Sequence, residues 1–357
     1  MAGNIAGSLA LDGVTARLGG FRLGPLSLRL PAGALCAVVG PSGAGKSALL
    51  QSIAGLIPAS GQIRLDGRDL AAFPPEERGI ALVPQHYALF PHLSVLENVA
   101  FGLRARGVPA AIARHEAKAS LERLGIGELA DRRPASLSGG ERQRTAIARA
   151  VVLRTSLLLL DEPFAALDPV NRAVCIEELA DVHARMGLTI VLVTHRPDEA
   201  ELLASHLAVI TEGRLVAFGE TGRIFAAPPN ERTVHALGLE NLLTSGSVPE
   251  FPGSGPWYVP PSMVRVETGT TGGPSGNVAF EGFLDRVQRI GPVFRVRVRG
   301  DGYLLTGFYS GDEPGIGEGA TAFVDQATVR ILAGEEPVPR EEQRSPSGWL
   351  DRLFSRA

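Results

Sequence analysis

Residues Val38–Leu50 read VVGPSGAGKSALL, and the fold class turns on that run. An apolar, strand-like stretch enters it, glycines fill its middle and a helix-compatible stretch leaves it. Gly40, Pro41, Ser42, Gly43, Ala44, Gly45, Lys46 and Ser47 complete the pattern G-x-x-x-x-G-K-S. In such a loop successive backbone N–H groups point inward at an anion, and the following helix adds the positive end of its dipole. Lys46 and Lys118 are the only lysines among 35 basic residues. A chain that otherwise uses arginine keeps a lysine here because a compact charge on a flexible stem reaches phosphates that a broad guanidinium fork does not. Ser47 offers a hydroxyl to Mg2+. The plain alternative is a glycine-rich turn with a chance lysine, and the complete pattern between strand and helix speaks against it.

A second acidic motif is LLLLDEP, Leu157–Pro163. An apolar strand delivers Asp161 and Glu162 to its C-terminal end, where open α/β sheets bind ligands. Asp161 suits the Mg2+ shell, and Glu162 suits polarising an attacking water. An acidic pair ending a strand is common by itself; beside a complete phosphate loop it gains a use.

Length and composition bound the rest. With 357 residues the chain suits two or three domains, and 45% hydrophobic with 20% charged residues is an ordinary globular balance. A net charge of −3 argues against a nucleic-acid partner. Cys36 and Cys175 lie far apart in apolar or helical settings, as small buried hydrophobes of a reducing compartment do. No run approaches the roughly 18 apolar residues of a membrane span. The start, MAGNIAGSLALDG, has neither the basic opening nor the apolar core of a signal peptide. A cytosolic protein is expected, with any membrane role exerted through a partner.

Apolar runs recur at Ala34–Val39, Ile80–Val83, Leu157–Leu160, Leu188–Val193 and Leu207–Ile210, separated by helical stretches such as Pro109–Leu124 and Glu141–Leu153. Continuous apolar runs are what buried parallel strands require. Pro109 suits the first position of its helix. A helix-rich segment, about 86–136, interrupts the alternation as an inserted subdomain. From Gly246 to Gly276 the chain turns rich in Gly, Pro, Ser and Thr, and FRVRVRG (Phe294–Gly300) then alternates strictly. Segments 279–290, 302–308 and 320–331 also read as strands, so a small all-β domain follows. After Gly334 a charged linker ends in WLDRLFSRA, where Trp349, Leu350, Leu353 and Phe354 would share one helix face. That face suits weak packing of a frayed tail, or a docking or membrane-surface helix.

LSGGERQR, Leu137–Arg144, resembles the signature motif of ABC ATPases, and the phosphate loop, the signature and LLLLDEP stand in that family's order. The resemblance covers residues 8–240; a weaker one likens the region after 240 to the OB-like, transport-associated domain of importer ATPase subunits. It implies an α/β P-loop NTPase, a RecA-like core with a helical subdomain, over residues 1–238, an OB-like regulatory domain over 239–334, and a linker and short tail over 335–357. It implies ATP and Mg2+ as cofactors. Ser138 and the amides of Gly139 and Gly140 open a helix and form a further anion site, which in this family faces ATP held by a second copy, head to tail. Gln85 matches the glutamine that touches Mg2+ and water, Asp168 the D-loop aspartate, and His195 the switch histidine. With Glu162, these make Gln85 and His195 the expected catalytic set. Ala48 stands beside the loop residues at the α-phosphate. Residues 86–102 match the surface that docks two membrane-spanning permease subunits, with an external substrate-binding protein acting indirectly. The implied place is the cytoplasmic face of a bacterial cell membrane.

Several positions depart from the family pattern. Leu18 occupies the place of the aromatic that stacks on adenine, with Phe21 nearby. Ala48 replaces a threonine, Ala165 a serine, and Arg196 an aspartate. The nearest likeness is to molybdate/tungstate importers, with sulfate, ferric-iron and polyamine importers as alternatives. A soluble ABC ATPase without a transport role, or an anion-sensing regulator, is the reading from a different class. In the β region Arg286, Arg289, Arg295, Arg297 and Arg299 could meet an oxyanion or form a solvated strand face.

Overall fold

The computed structural model describes residues 7–165, 167–243, 256–268 and 277–332. The tail face Trp349–Phe354 and the linker before it lie outside these residues. In chain order the first elements are β1 (Leu9–Leu18), β2 (Phe21–Leu30), β3 (Leu35–Val39), α1 (Lys46–Ala54), β4 (Ala59–Leu65), β5 (Arg68–Asp69) and β6 (Ile80–Val83). The helical stretch follows with α2 (Val95–Ala105), α3 (Ala110–Arg123) and α4 (Gly139–Val151). Then come β7 (Leu157–Asp161), α5 (Pro169–Met186), β8 (Thr189–Val193), α6 (Pro197–Leu203), β9 (His206–Thr211), β10 (Arg214–Glu220), α7 (Thr221–Ala226) and α8 (Glu231–Ala236). The C-terminal part is β11 (Leu242–Leu243), β12 (Trp257–Tyr258), β13 (Val264–Thr268), β14 (Asn277–Ile290), β15 (Val293–Arg299), β16 (Leu304–Tyr309), β17 (Gly319–Asp325) and β18 (Arg330–Ile331).

All five apolar runs are strands of one six-stranded sheet, ordered β10-β9-β3-β8-β7-β6. From β9 to β6 the pairing is parallel. The runs are continuous because both faces are covered. Leu35, Ala37, Val39, Leu158, Leu160, Ile190 and Leu192 join the core beneath the helices of the 95–186 region. The alternate residues Cys36, Val38, Leu157, Leu159, Val191 and Val193 pack on the other side against α1 and the sheet β2-β1-β4-β5. α1 lies between two layers, which buries seven of its nine residues. That antiparallel sheet was not anticipated from the sequence. Its strands alternate apolar and polar residues, as in the exposed-buried alternation of Ser27–Leu30.

Two helix starts differ from expectation by a residue or two. Pro109 is the N-cap of α3, not its first residue, and its carbonyl accepts the Ala113 N–H at 2.9 Å. α4 begins at Gly139, ahead of Glu141, because Ser138 and Glu141 form a reciprocal capping box. Both cysteines are free and buried. Among the described residues no helix is long and apolar enough to cross a membrane.

Beyond α8, strands β13-β16-β15-β14-β17 close a small barrel. Phe294, Val296 and Val298 face its core while Arg295, Arg297 and Arg299 point away, which is the alternation read from FRVRVRG. The barrel is attached through the segment after α8. Asn241, buried and in a left-handed conformation at φ 65°, accepts the Thr306 N–H at 2.6 Å and donates to the Thr306 carbonyl at 2.7 Å. Tyr258 packs with Val234 and Leu332, and its hydroxyl donates to the Phe225 carbonyl.

Asn241→Ala strips both Thr306 backbone groups of their partner inside the protein. We expect a loss of about 1–3 kcal/mol, read as an earlier thermal transition of the barrel with the nucleotide-site region unaffected.

Candidate functional site

The strand order explains how dispersed motifs meet. β3, β8, β7 and β6 are neighbours, and the segments leaving their C-terminal ends carry, in the same order, Gly40, His195, Asp161 with Glu162, and Gln85. This is the edge at which open α/β sheets bind ligands.

The loop from β3 to α1 forms a cradle. Gly43 and Gly45 hold left-handed conformations at φ 78° and 100°, which glycine adopts without penalty. A Cβ on Gly45 would come within 2.8 Å of the Phe21 ring. Phe21 therefore packs on the loop, whereas Leu18 stands 37% exposed at the end of the β1–β2 hairpin. Lys46 is 5% exposed, and its ammonium donates to the carbonyls of Gly40 at 2.8 Å and Pro41 at 3.0 Å. Burial lowers its pKa, with Glu162 and Asp161 opposing. An ammonium has three donors, and two of Lys46's rest on neutral carbonyls. Ala48 sits buried in the first turn of α1, with no hydroxyl to offer.

The Ser47 hydroxyl donates to Asp161 Oδ1 at 3.0 Å. Burial raises the pKa of Asp161, the Ser47 bond opposes this, and the adjacent Glu162 adds to it. This hydroxyl–carboxylate pair is a hard oxygen donor set of the kind Mg2+ takes when substrate phosphates and water complete its shell. Ser47 and Asp161 supply two such donors, which fits a metal whose remaining ligands are phosphate oxygens and water.

Glu162 is the point of convergence. Its Oε2 lies 3.4 Å from His195 Nδ1 and 3.5 Å from Gln85 Nε2. Glu162 is itself left-handed, at φ 45°, an uncommon state for a non-glycine residue. Its N–H donates to the Val193 carbonyl at 3.0 Å, so the end of β8 holds it.

The motif Ser138-Gly139-Gly140 opens α4. Ser138 Oγ accepts the Glu141 N–H, and Glu141 Oε2 accepts the Ser138 N–H at 2.6 Å. That second bond holds the Glu141 carboxyl below the usual glutamate range. Within this chain the anion site therefore carries its own carboxylate on one amide. A Cβ on Gly139 would meet Leu167 at 2.6 Å, which brings the signature against the residue before Asp168. Asp168 caps α5, accepting from the N–H groups of Val170 and Asn171 at 3.1 Å. Neither Ser138 nor Asp168 contacts Lys46, Glu162 or His195 through any described hydrogen bond or ion pair. Arg196, at the aspartate position, makes a two-pronged contact with Asp198, its shorter bond 2.6 Å.

The structure also brings in residues that the sequence reading passed over. Arg149 of α4 donates to the carbonyls of Tyr87 at 2.6 Å and Ala88 at 2.7 Å, two left-handed residues just after Gln85. Asn98 is fully buried and bonds both backbone groups of Phe90 and the carbonyls of Leu93 and Ser94. Its signal was a polar residue on the same helix face as Val95 and Val99. Within 86–102, Tyr87 belongs to the core and donates to the Pro163 carbonyl, which corrects any surface role for its ring. Phe101 is 44% exposed and packs on Phe90 with ring centres 4.4 Å apart.

Residues 23–165 match the ABC transporter family. PhnT of Salmonella typhi, named for 2-aminoethylphosphonate import, is 44% identical over 239 residues, 66% of this chain and 65% of its own length. The chain thus spans just under two thirds of that relative. The molybdate/tungstate import ATP-binding protein WtpC of Archaeoglobus fulgidus is 46% identical over 229 residues, 64% of this chain and 93% of that protein. WtpC of Pyrococcus abyssi is 37% identical over 312 residues, 82% of this chain and 90% of its own. The solved structure of cbiO1 from Clostridium perfringens, part of the ABC transporter complex cbiONQ, matches with a TM-score of 0.57 and 29% identity, covering 63% of this chain and 92% of that one. The sheet order, the phosphate cradle and these likenesses agree: the chain belongs to the ATP-binding proteins of ABC transporters.

Proposed function

We propose that this chain is the ATP-hydrolysing, energy-coupling subunit of an ABC importer for a tetrahedral oxyanion, molybdate or tungstate. The observation that carries the reading is the convergence of Gln85 and His195 on Glu162, beside the Ser47–Asp161 pair.

In this reading the loop amides of residues 40–47 and Lys46 bind the phosphates of ATP, with Ala48 at the start of α1. Ser47 and Asp161, with Gln85 nearby, would hold Mg2+, which would supply Lewis-acid stabilisation of the phosphate charge. Glu162 accepts a hydrogen bond from the attacking water and orients it, which is the main task in a transfer governed by positioning. His195 steadies Glu162 and faces the terminal phosphate. Phe21 takes the adenine-stacking place left by Leu18. Ser138, Gly139, Gly140 and Asp168 serve a second copy in a head-to-tail dimer with two ATP molecules: within this chain their described bonds are local helix caps. Residues 86–102, with Phe90 and Phe101, meet two permease subunits at the cytoplasmic face of a bacterial membrane, and an external binding protein acts through those subunits. The division of the chain at about residue 238, between α8 and the Asn241 attachment of the barrel, belongs to the same proposal.

Molybdate or tungstate is favoured over the phosphonate because the WtpC relatives match over more of their own length. With purified membrane subunits and binding protein, ATP turnover should rise on addition of molybdate or tungstate; a rise with 2-aminoethylphosphonate alone would reassign the substrate.

Glu162→Gln should lower ATP turnover about 100-fold or more while ATP still binds. Equal turnover in wild type and variant, measured with the membrane partners present, would end the hydrolytic reading. Lys46→Arg keeps the charge but replaces a compact ammonium with a broad planar fork. We expect weaker nucleotide binding by about 1.5–3 kcal/mol, measured by titration calorimetry.

A further inference from the structure

We propose that Glu199 is a positioning residue for ATP hydrolysis: its buried carboxylate joins the turn carrying His195 to the start of α5 behind Asp168, so that the two move as one unit. The proposal rests on the hydrolytic reading above and deepens it.

Glu199 stands in the first turn of α6, with its side chain 4% exposed. Its Oε2 accepts from Thr194 Oγ1 at 2.5 Å. The same Thr194 hydroxyl oxygen accepts the Arg196 N–H at 3.0 Å. Thr194 and Arg196 flank His195, so the hydroxyl staples the turn from within and Glu199 fixes the hydroxyl. Thr194 also donates its N–H to the Val38 carbonyl at 3.1 Å, which ties the turn to the strand that leads into the phosphate loop.

On its other side Glu199 faces α5. Its Oε1 lies 3.6 Å from Arg172 Nε, and Arg172 Nη2 donates to the Leu167 carbonyl at 2.8 Å. Leu167 immediately precedes Asp168. Arg196 Nε lies a further 3.6 Å from the same oxygen. A chain of contacts therefore runs from Leu167 through Arg172, Glu199 and Thr194 to the His195 turn. No member of it is a residue assigned to bind ATP or Mg2+.

The physical case is that a carboxylate this deeply buried needs all its partners. If a second copy shifts the Asp168 loop on docking, Leu167 and Arg172 shift with it, and Glu199 cannot stay behind without losing its compensation. Thr194, and so the His195 turn, is drawn along. The contact of one copy with the Asp168 loop of the other thereby reaches the histidine beside Glu162.

The test is ATP turnover of the full chain at saturating ATP, with KM and thermal stability measured in parallel. Glu199→Gln should lower kcat about tenfold or more, as loss of an orienting partner does, and leave KM within about twofold. Added to His195→Ala, it should cause no further loss of kcat, because it acts through that ring. Thr194→Val, which keeps the branched shape and removes only the hydroxyl joining Glu199 to the turn, should reproduce the effect, and Thr194→Ser should restore turnover. The proposal falls if the Glu199 and His195 losses multiply, or if Thr194→Val matches wild type. It also falls alone if Glu199→Gln turns over normally while Glu162→Gln is inactive. If Glu162→Gln itself is fully active, the hydrolytic reading falls and takes this proposal with it.

Discussion

Parallel pairing of β8 between β3 and β7 holds the site together, because it brings a late segment of the chain between two earlier ones. The register runs from Leu35 opposite Ile190 to Val38 opposite Val193 on one side, and from Leu157 opposite Thr189 to Asp161 opposite Val193 on the other. Both faces of these strands are apolar, so polarity alone does little to prevent a slip of register. Bonds beyond the strand ends do that work. The Thr194 N–H reaches the Val38 carbonyl and the Glu162 N–H reaches the Val193 carbonyl. Each continues the ladder into a functional loop, so a slip would cost both the sheet and the loops. The distance between Glu162 and His195 is thus a consequence of backbone pairing.

Three of the seven left-handed non-glycine positions among the described residues follow the strand ends at this edge. Glu162, Tyr87 and Ala88 are all left-handed without being glycine, and such residues persist only where the surroundings over-determine them. Glu162 is fixed at its N–H by Val193, and its carbonyl accepts from Ala165 at 3.2 Å. Tyr87 and Ala88 are fixed by Arg149 from α4, and the Tyr87 hydroxyl grips Pro163, the residue after Glu162. The turn after Gln85 and the turn bearing Glu162 are therefore one mechanical piece, with α4 as its handle. Ser138 caps α4, so one helix joins the signature motif to the turn bearing Glu162.

What was legible in the sequence was what local pattern encodes. Buried parallel strands announce themselves as apolar runs, and a phosphate loop as glycines before a lysine, so the sheet, the cradle, Asp161 and Glu162 could be read off. The strict alternation of Phe294–Gly300 gave a barrel strand for the same reason. β1, β2 and β4 were harder. Their alternation is broken by register shifts near Gly13 and Thr15, and short alternating segments compete with turns. Asn98, Arg149, Arg172 and Glu199 were out of reach for another reason. Each is a polar residue in a helix whose meaning lies in partners from 3 to 62 positions away, and helical periodicity reports burial, not the identity of what is met. Pro109 and Gly139 show the limit at helix ends, where one reciprocal cap moves a boundary by two residues.

The distribution of basic residues has a physical logic that runs through the whole nucleotide-binding region. Arg78 spans the carbonyls of Ser52 and Ile53 at the C-terminal end of α1 and that of Phe73 with its other prong. Arg142 holds the Leu137 carbonyl, Arg149 those of Tyr87 and Ala88, and Arg172 that of Leu167. Carbonyls at helix ends and irregular turns need several donors in fixed relative positions, which a planar, permanently charged fork supplies and an ammonium does not. These arginines are structural clamps on a helix end and on irregular turns. At the cradle itself the requirement reverses. The donor must sit on a flexible stem, be partly satisfied by the carbonyls of Gly40 and Pro41, and still turn toward a phosphate. A fork locked by two carbonyls would have its remaining donors pointing in the same plane, whereas an ammonium projects its third tetrahedrally. The near-exclusive use of arginine elsewhere and the lysine at position 46 are two answers to one geometric question.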